Sequence, residues 1–231
     1  MRRFFGKMID GNIRVDGSEF NHIKKVLRMK EGDELIVYTN DEFEYTCQIS
    51  NMSKDFCNCK ITHKQICPAL PQNEITLFQM MPKKEYFDNI IPKAIELGVS
   101  EIYFFTSEFT MIKSFKRERV DMQVMTSCKQ CERSKLVQVH DVIKFEDMTK
   151  MLKNYDLIIF AYENETNKFD PKILENKQKI AVIIGNEAGF SEKEASILKK
   201  EATSISLGSR ILRCDTAVTA TLALVGILSG N

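Results

Sequence analysis

Two stretches near the end of this chain share one pattern, in which an apolar run breaks into a glycine-containing loop and the chain then resumes as a helix. They are Ile183–Ser191 and Leu207–Thr216. This order of strand, loop and helix is typical of α/β sheets. Because parallel strands end at the same edge of a sheet, two such loops would form one crevice, which is where open α/β sheets usually bind ligands. The two loops therefore predict a ligand site.

The first loop lacks the common phosphate-binding fingerprints. It has only two glycines, Gly185 and Gly189, and matches neither the P-loop nor the dinucleotide pattern. The carboxylate of Glu187 would repel an anion, which favours a neutral or cationic ligand. Ser191 followed three residues later by Glu194 is a capping box, so we interpret Ser191 as a helix N-cap rather than a nucleophile.

The second loop carries three charges beside a predicted helix start. Asp215 is a good N-cap residue, and that role alone could explain its presence. It does not explain Arg210 and Arg213, which would be free to hold a phosphate or to stabilise an oxyanion.

The pattern of the sequence changes near residue 70. Short β-rich runs, with one helix predicted from Ser18 to Arg28 and capped by Ser18, occupy the first 67 residues and suggest a small barrel. Two prolines within Cys67–Pro71 indicate a linker. From Glu74 onward, strands alternate with helices, which predicts a parallel sheet covered on both faces. We predict an α/β protein with domains at residues 1–70 and 71–231.

Within the second domain, apolar spacing predicts the elements that surround the two loops. Pro92 lies inside the first of the predicted helices and indicates either a kink or a helix that effectively starts there. The predicted strands are residues 156–161, 179–184 and 203–207, and the predicted helices are residues 84–97, 191–200 and 215–228.

Charge is unevenly distributed, although the net charge of the 231 residues is only +1. Residues 1–30 carry eight Lys and Arg against three acids, and residues 113–135 carry seven against three. Two basic stretches in two domains fit contact with RNA phosphates. A solvated charged surface is the alternative interpretation of each.

The chain contains seven cysteines, an odd number, and no signal peptide is recognisable. Both observations predict reduced thiols in a cytoplasmic protein. No apolar run approaches the ~18 residues that a membrane span needs, so we expect no membrane partner. We also expect no metal, because the cysteines and the histidine that cluster near residue 60 match no common zinc spacing; they are Cys57, Cys59, His63 and Cys67.

Four segments resemble the RsmE family and occur in the same order. Ile184–Ser191 is similar to its I-G-P-E-G-G-[FL]-S loop, and Leu207–Ala217 to its L-G-x-R-[IV]-L-R-x-E-T-A loop. Lys93–Val99 resembles its K-A-T-E-L-G-V segment, and Val26–Asp33 matches in the first domain. The resemblance spans nearly the whole chain.

This resemblance implies a 16S ribosomal RNA uracil-N3 methyltransferase that uses S-adenosylmethionine. It implies an N-terminal PUA-like barrel that binds RNA, a C-terminal SPOUT domain with a deep trefoil knot, and a homodimer. The expected partner is 16S ribosomal RNA or the 30S subunit. One alternative is another SPOUT RNA methyltransferase that acts on a ribose 2′-oxygen or a tRNA base. The other is a non-catalytic RNA-binding or ribosome-assembly protein.

The resemblance and the loop chemistry also imply roles for particular residues. Arg213 would stabilise the developing uracil anion, and Asp215 would accept the proton or orient Arg213. The expected cofactor-binding residues are Ala161, Ile184, Gly185, Asn186, Glu187, Gly189, Leu207, Gly208, Ile211, Leu212 and Thr216. The expected RNA-binding residues are Arg2, Arg3, Lys24, Lys25, Arg28, Arg133 and Arg210.

Four positions depart from the family pattern. Asn186 stands for a proline, Ala188 for a glycine and Asp215 for a glutamate, and Lys129 stands where an acid is expected. Ala188 matters most if the backbone there needs a positive φ, which alanine tolerates poorly.

Overall fold

The computed structural model describes residues 2–230, which form two compact units. The first unit comprises the chain up to Leu70 together with Cys128–Leu136, and the second comprises Pro71–Ser127 and the chain from Val137 onward. Met1 and Asn231, the outermost residues of the two predicted domains, lie outside the described residues.

The first unit is built on a six-stranded sheet, in which β3 and parts of β5 and β6 alternate buried and less buried residues. Its strand order is β1-β4-β5-β6-β3-β2, with β1 parallel to β4 and the other pairs antiparallel. The buried residues of the sheet form a core, which includes Phe4, Val15 and Leu35. The strands are β1 Arg3–Phe5, β2 Lys7–Ile9, β3 Asn12–Asp16, β4 Glu34–Tyr38, β5 Phe43–Met52 and β6 Phe56–Ile66.

One short helix, α1 Gly17–Asn21, follows β3 and continues into a π-helical turn at His22–Val26. The predicted helix at 18–28 is therefore present but changes its hydrogen-bond pattern. The N-cap is Asp16, not Ser18, so that prediction was wrong. Helix α1 begins at Gly17, one residue before Ser18, so the N-cap position falls on Asp16.

The segment Cys128–Leu136 belongs to the first unit through hydrogen bonds. Tyr38 Oη donates to the carbonyl of Glu132 at 2.9 Å, and Ser134 Oγ donates to the carbonyl of Asp41 at 2.7 Å. Lys129 Nζ lies 2.7 Å from the buried carboxylate of Glu19. These contacts join residues that are about a hundred positions apart in sequence.

The second unit is a parallel sheet covered by helices, as the alternation predicted. Strand order is β10-β8-β7-β12-β11-β13, and β9 pairs with β8. The central strands are buried almost throughout, as expected for a sheet covered on both faces. The elements are β7 Glu74–Met80, α2 Lys84–Glu96, β8 Val99–Thr106, α3 Arg117–Gln130, β9 Gln138–Val139, β10 Ile143–Lys144, α4 Phe145–Met151, β11 Leu157–Ala161, β12 Lys179–Ile184, α5 Glu192–Glu201, β13 Thr203–Ile205 and α6 Cys214–Ser229.

Helix α2 runs through Pro92 and starts eight residues earlier, at Lys84. Proline cannot donate a hydrogen bond to the carbonyl four residues before it, which belongs to Asp88. That carbonyl accepts a hydrogen bond from Gln123 Nε2 at 3.3 Å instead. A side chain from α3 thus compensates for the proline.

No helix within residues 2–230 combines the length and the apolar character that crossing a membrane would require.

Candidate functional site

Three neighbouring strands of the second unit end side by side. Ala161, the last residue of β11, pairs with Ile184 at the end of β12 and with Ile205 at the end of β13. Because the three strands are parallel, the loops that follow them leave from one edge of the sheet. The two glycine-containing loops therefore meet with the β11 end between them, as the sequence predicted.

A cleft lies at this edge, and we call it the donor cleft. Seven of the eleven residues expected to hold a cofactor line it: Ala161, Ile184, Gly185, Asn186, Leu207, Gly208 and Leu212. Five further lining residues are Tyr162, Glu163, Arg210, Cys214 and Ala217. The other four expected residues, Glu187, Gly189, Ile211 and Thr216, are not among those that line the donor cleft in the described chain.

The loop after β12 is held in place by the side chain of Asn186. Its Nδ2 donates to the carbonyl of Met81 at 3.2 Å, and its Oδ1 accepts from the backbone N–H of Ala188 at 2.9 Å. The backbone N–H of Gly189 donates to the carbonyl of Asn186 at 3.1 Å, which closes a tight turn. Asn186 therefore supplies by hydrogen bonds the local order that a proline would supply by its ring.

Positive φ falls on Gly189 and not on Ala188. Gly189 has φ +70°, and a Cβ placed there would lie 2.7 Å from Glu163 Oε1. Ala188 is not among the residues with positive φ. The departure from glycine at position 188 thus causes no strain in this turn.

A buried glutamine supports the start of the same loop. Gln79, at the end of β7, is completely buried, and its Nε2 donates to the carbonyls of Met80 and Gly185 at 2.7 and 3.1 Å. The first peptide of the loop is thereby fixed to the strand next to β12.

Glu187 does not line the donor cleft but contributes to a second pocket, which we call the side pocket. Its Oε1 accepts the backbone N–H of Lys83 at 2.8 Å, immediately before α2. Asn186 lines both spaces, so the two are adjacent. The side pocket is lined by Met81, Pro82, Lys83, Phe109, Met111, Ile112, Asn186, Glu187 and Ala188.

The loop after β13 leads into α6 through Arg213. Arg213 is the N-cap residue, and its exposed side chain makes no capping hydrogen bond. The prediction that Asp215 is the N-cap was wrong, because the helix begins one residue before it, at Cys214. Asp215 lies in the first turn, where a negative charge is favourable beside the helix dipole.

Asp215 is well shielded and already has partners. Its Oδ1 accepts the backbone N–H of Thr216 at 3.0 Å, and its Oδ2 lies 3.5 Å from Lys93 Nζ. Its side chain is only 13% exposed. Thr216 and Ile211, two of the expected cofactor ligands, are exposed.

The charges of this region shift the pKa values of two nearby side chains, Cys214 and Tyr86. Burial, followed by the charges of Glu187 and Asp215, raises the pKa of the Cys214 thiol to about 12. A hydrogen bond from the half-buried Tyr86 to Glu85 raises the pKa of Tyr86, while the charge of Arg213 opposes the rise and that of Glu187 adds to it. The charges of Glu187 and Arg213 therefore both influence the pKa of Tyr86. The charge of Glu187 also influences the pKa of Cys214, which lines the donor cleft.

The residues expected to bind RNA have different environments. Arg2, Lys24, Lys25 and Arg28 are exposed on the first unit, although Lys24 Nζ donates to the carbonyls of Ser53 and Lys54. Arg210, also exposed, lines the donor cleft of the second unit.

Two of the expected RNA-binding arginines are held within the first unit. Arg3 pairs with Glu132 at 2.8 Å and with Glu44 at 3.6 Å. Arg133 is 5% exposed, and burial lowers its pKa. Neither guanidinium is presented to solvent as fully as those of Arg2 and Arg28.

Several residues of the donor cleft were not predicted from the sequence, among them Tyr162, Glu163 and Cys214. The first two directly follow the apolar run that ends at Ala161. Their position after a third parallel strand was the available signal, because the ends of neighbouring parallel strands share one edge.

Within residues 2–230, no group of three or more His, Cys, Asp or Glu is arranged to hold a metal ion.

Comparison with known proteins agrees with this arrangement. Residues 68–226 match the family model of the RNA methyltransferase domain, and residues 15–62 match that of the RNA methyltransferase PUA domain. The chain is 32% identical over 224 residues to Ribosomal RNA small subunit methyltransferase E of Mesomycoplasma hyopneumoniae, covering 94% of this chain and 95% of that one. It is 27% identical to the Bacillus subtilis protein of the same name, covering 94% and 93%.

A solved structure is similar over the whole chain. It is Ribosomal RNA small subunit methyltransferase E from Neisseria gonorrhoeae bound to S-adenosyl methionine, with a TM-score of 0.86, 25% identity, and coverage of 99% and 98%. The fold and the donor cleft thus define an RNA methyltransferase with a PUA domain. Within that class, the chain belongs to the Ribosomal RNA small subunit methyltransferase E family. The family resemblance and the predicted α/β fold class with an N-terminal PUA-like domain are confirmed.

Proposed function

We propose that this protein transfers a methyl group from S-adenosylmethionine to N3 of a uridine in 16S ribosomal RNA. The observation that carries the proposal is the donor cleft, where β11, β12 and β13 end in register in a chain of this family. The similar Neisseria gonorrhoeae protein was solved with S-adenosyl methionine bound. The trefoil knot and the domain limits of 1–70 and 71–231 are part of the same proposal.

The donor cleft suits this cofactor chemically. Ala161, Ile184, Leu207 and Leu212 supply apolar walls for an adenine ring, while backbone groups at the strand ends supply hydrogen bonds. Gly208, with φ +107° and no atom within 4 Å of a Cβ built on it, leaves that side open to a ligand. The carboxylate of Glu163 could accept hydrogen bonds from ribose hydroxyls.

When bound, S-adenosylmethionine supplies an electrophilic methyl group. The protein must place the uracil nitrogen in line with it and stabilise the negative charge that develops as N3 loses its proton. Arg213 can stabilise that charge, because a full positive charge stands at the N-terminus of the sixteen-residue helix α6. Asp215, bonded to Thr216 N–H and close to Lys93, would fix the helix start from which Arg213 projects.

For RNA contact, we propose the exposed basic residues Arg2, Lys24, Lys25 and Arg28 of the first unit and Arg210 of the second. Arg3 and Arg133 would instead stabilise the first unit, because their guanidinium groups are paired or buried. RNA affinity should fall steeply as salt is added, since each phosphate contact releases counterions. The proposed partner is 16S ribosomal RNA or the 30S subunit.

We further propose a homodimer in the cytoplasm. Helix α6 has a second apolar face, on which Ile227 is 69% exposed and Leu228 is 49% exposed. A second copy of the chain would cover it, and Ile227→Lys should shift a dimer to a monomer in sedimentation equilibrium. Within residues 2–230 no two cysteines form a disulfide, which fits a reducing compartment.

The test is methyl transfer to 30S particles and free 16S RNA from a strain that lacks the family enzyme, with nucleosides identified by mass spectrometry. We expect N3-methyluridine from the wild type. Arg213→Ala should lower turnover by about 10²–10³-fold while leaving the Kd for S-adenosylmethionine unchanged. A 2′-O-methylated nucleoside, methylation of tRNA only, or cofactor binding without any transfer would each reject the proposal.

A further inference from the structure

We propose that the side pocket receives the target uracil and that the carboxylate of Glu187 accepts the proton of uracil N3. This inference rests on the proposed methyl transfer, because it names the place where the acceptor base of that reaction would lie.

The side pocket adjoins the donor cleft through one residue. Asn186 lines both spaces, and its side chain ties the loop after β12 to Met81, which also lines the side pocket. Glu187 is also within electrostatic reach of the cleft, because its charge helps to raise the pKa of Cys214. A base held in the side pocket would therefore lie next to a methyl group held in the cleft.

The walls of the side pocket have the character of a base-binding surface. Phe109 is 44% exposed and Met111 is 85% exposed, and both follow β8 in a segment that also contributes Ile112. Proteins that recognise unpaired nucleotides stack the base on such side chains, and enzymes that modify a base take it out of its helix first.

Hydrogen bonds hold the turn that contains Phe109. Ser107 N–H donates to Thr110 Oγ1 at 2.8 Å, and Glu108 N–H donates to Glu194 Oε1 at 3.1 Å. Thr110 and Glu194 are both buried. The turn that presents Phe109 is thus fixed to the first turn of α5.

Glu187 is the one carboxylate among the residues that line the side pocket. Its Oε1 is held by the backbone N–H of Lys83, so the group has a defined position while remaining exposed. Uracil presents N3–H between two carbonyl oxygens, and a carboxylate accepts a hydrogen bond from that N–H. Cytosine presents a lone pair at N3, which a carboxylate repels, so the same group would select uracil.

The proton and electron changes balance. The N3–H bond breaks and the proton passes to the Glu187 carboxylate, while the N3 lone pair forms the bond to the methyl carbon. The bond between that carbon and sulfur breaks, and its electron pair remains on sulfur. Glu187 is exposed and can return the proton to water. The charges of Arg213 and Glu187 both reach Tyr86, on whose pKa they have opposite effects. Arg213 would stabilise the negative charge on the uracil oxygens.

The first test measures binding without the cofactor. The protein is labelled with ¹³C-methyl methionine, and the signals of Met111 and Met122 are assigned from their loss in Met111→Leu and Met122→Leu. Met122 is an exposed methionine on α3 outside the side pocket and serves as the internal control. Uridine 5′-monophosphate should shift the Met111 signal and leave Met122 unchanged, and cytidine 5′-monophosphate should shift neither. Glu187→Gln should weaken the response to the uridine nucleotide.

The second test measures the chemical step. Glu187→Gln keeps an oxygen that can accept Lys83 N–H but removes the base, so turnover should fall by about 10²–10⁴-fold with an unchanged Kd for S-adenosylmethionine. Glu192→Gln, an exposed glutamate of α5, should turn over normally. RNA made with 5-fluorouridine has a more acidic N3–H and should reduce the deficit of Glu187→Gln, which a purely structural defect would not do.

The outcomes separate the two proposals. A wild type that methylates RNA while Glu187→Gln keeps full turnover would reject the role of Glu187 and leave the proposed function intact. A Met111 signal that ignores the uridine nucleotide up to its solubility limit would reject the pocket assignment. A wild type that transfers no methyl group would reject the proposed function, and the methionine signals would still decide whether the side pocket binds uracil.

Discussion

The carboxylate of Glu194 joins two segments that are far apart in the sequence. Its Oε2 accepts the backbone N–H of Ser191, and its Oε1 accepts the backbone N–H of Glu108, both at 3.1 Å. The first bond completes the capping box of α5, and the second fixes the turn after β8. One buried side chain thus orders the end of the loop after β12 and the wall of the side pocket.

Replacing Glu194 by alanine should therefore cost more than the loss of an ordinary helix cap. We expect about 1–3 kcal/mol of destabilisation, because the backbone N–H of Glu108 would lose its buried acceptor as well. Urea unfolding provides the measurement. Glu192→Ala, in the same first turn but exposed, should cost about 0.3–1 kcal/mol through the helix dipole alone. Equal losses in the two variants would contradict the double role of Glu194.

Restoring the glycine of the family pattern at position 188 should bring no benefit. Ala188→Gly should leave the affinity for S-adenosylmethionine unchanged and destabilise the protein by about 0.5–1 kcal/mol, because the unfolded chain gains freedom. Isothermal titration and urea unfolding measure the two quantities.

Gly189→Ala is the matched comparison, because it forces a side chain onto a residue with φ +70° and toward Glu163. This substitution should lower the free energy of unfolding by at least about 1–2 kcal/mol and weaken cofactor binding. If Ala188→Gly were the variant that changed affinity, the assignment of the strained position would be incorrect.

The lysine at position 129 should stabilise the first unit through Glu19. Lys129 Nζ lies 2.7 and 3.0 Å from the two carboxylate oxygens, and Glu19 Oε2 also accepts the backbone N–H of Phe5. Lys129→Met should cost about 1.5–3 kcal/mol, the usual value of a hydrogen bond to a charged group. A double-mutant cycle with Glu19→Gln checks the pairing. Additive losses would mean that the two side chains do not interact in solution.

Alkaline pH should weaken the second unit through Cys214. In an unfolded chain its thiol ionises near pH 8.5, whereas in the folded protein the pKa is raised to about 12. Between these values the folded state binds more protons than the unfolded state, so stability is lost as the pH rises and is fully present below about pH 8. The slope is at most about 1.4 kcal/mol per pH unit.

The measurement is urea unfolding of the wild type and Cys214→Ala at about pH 8 and about pH 10. The smaller side chain of the variant lowers its free energy of unfolding by the same amount at both pH values. The stability of the variant should therefore decline less with pH than that of the wild type. Parallel declines would show that the Cys214 thiol does not carry this dependence.

The features that were predicted correctly depend on neighbours in the sequence. Strand β12 has the predicted bounds at 179–184, and both halves of the capping box at Ser191 and Glu194 are present. Apolar runs and helix caps depend on residues that are close together in the sequence, so the sequence pattern predicts them. The starts of α1 and α6 were not predicted, because Asp16 offers the same capping chemistry as Ser18, and Arg213, which precedes α6, is not a typical capping residue.

The missed features depend on contacts between distant residues. No local pattern indicates that Ser134 bonds to Asp41, that Glu108 bonds to Glu194, or that Glu187 turns toward Lys83. The sequence left open whether position 188 needs a positive φ, and the positive φ falls on the next residue, since the side chain of Asn186 sets where the turn closes. Side-chain hydrogen bonds of this kind decide the shape of the site.

The alignment of the ends of β11, β12 and β13 has a consequence for synthesis of the protein. The residues that line the donor cleft begin at Ala161 and end at Ala217, so a nascent chain has none of them until two thirds of it has been made. Cofactor binding must then await the placement of the last strand and of α6. Once those segments dock, the free energy of cofactor binding adds to the free energy of folding. The methyl donor therefore stabilises only chains whose synthesis and folding are complete.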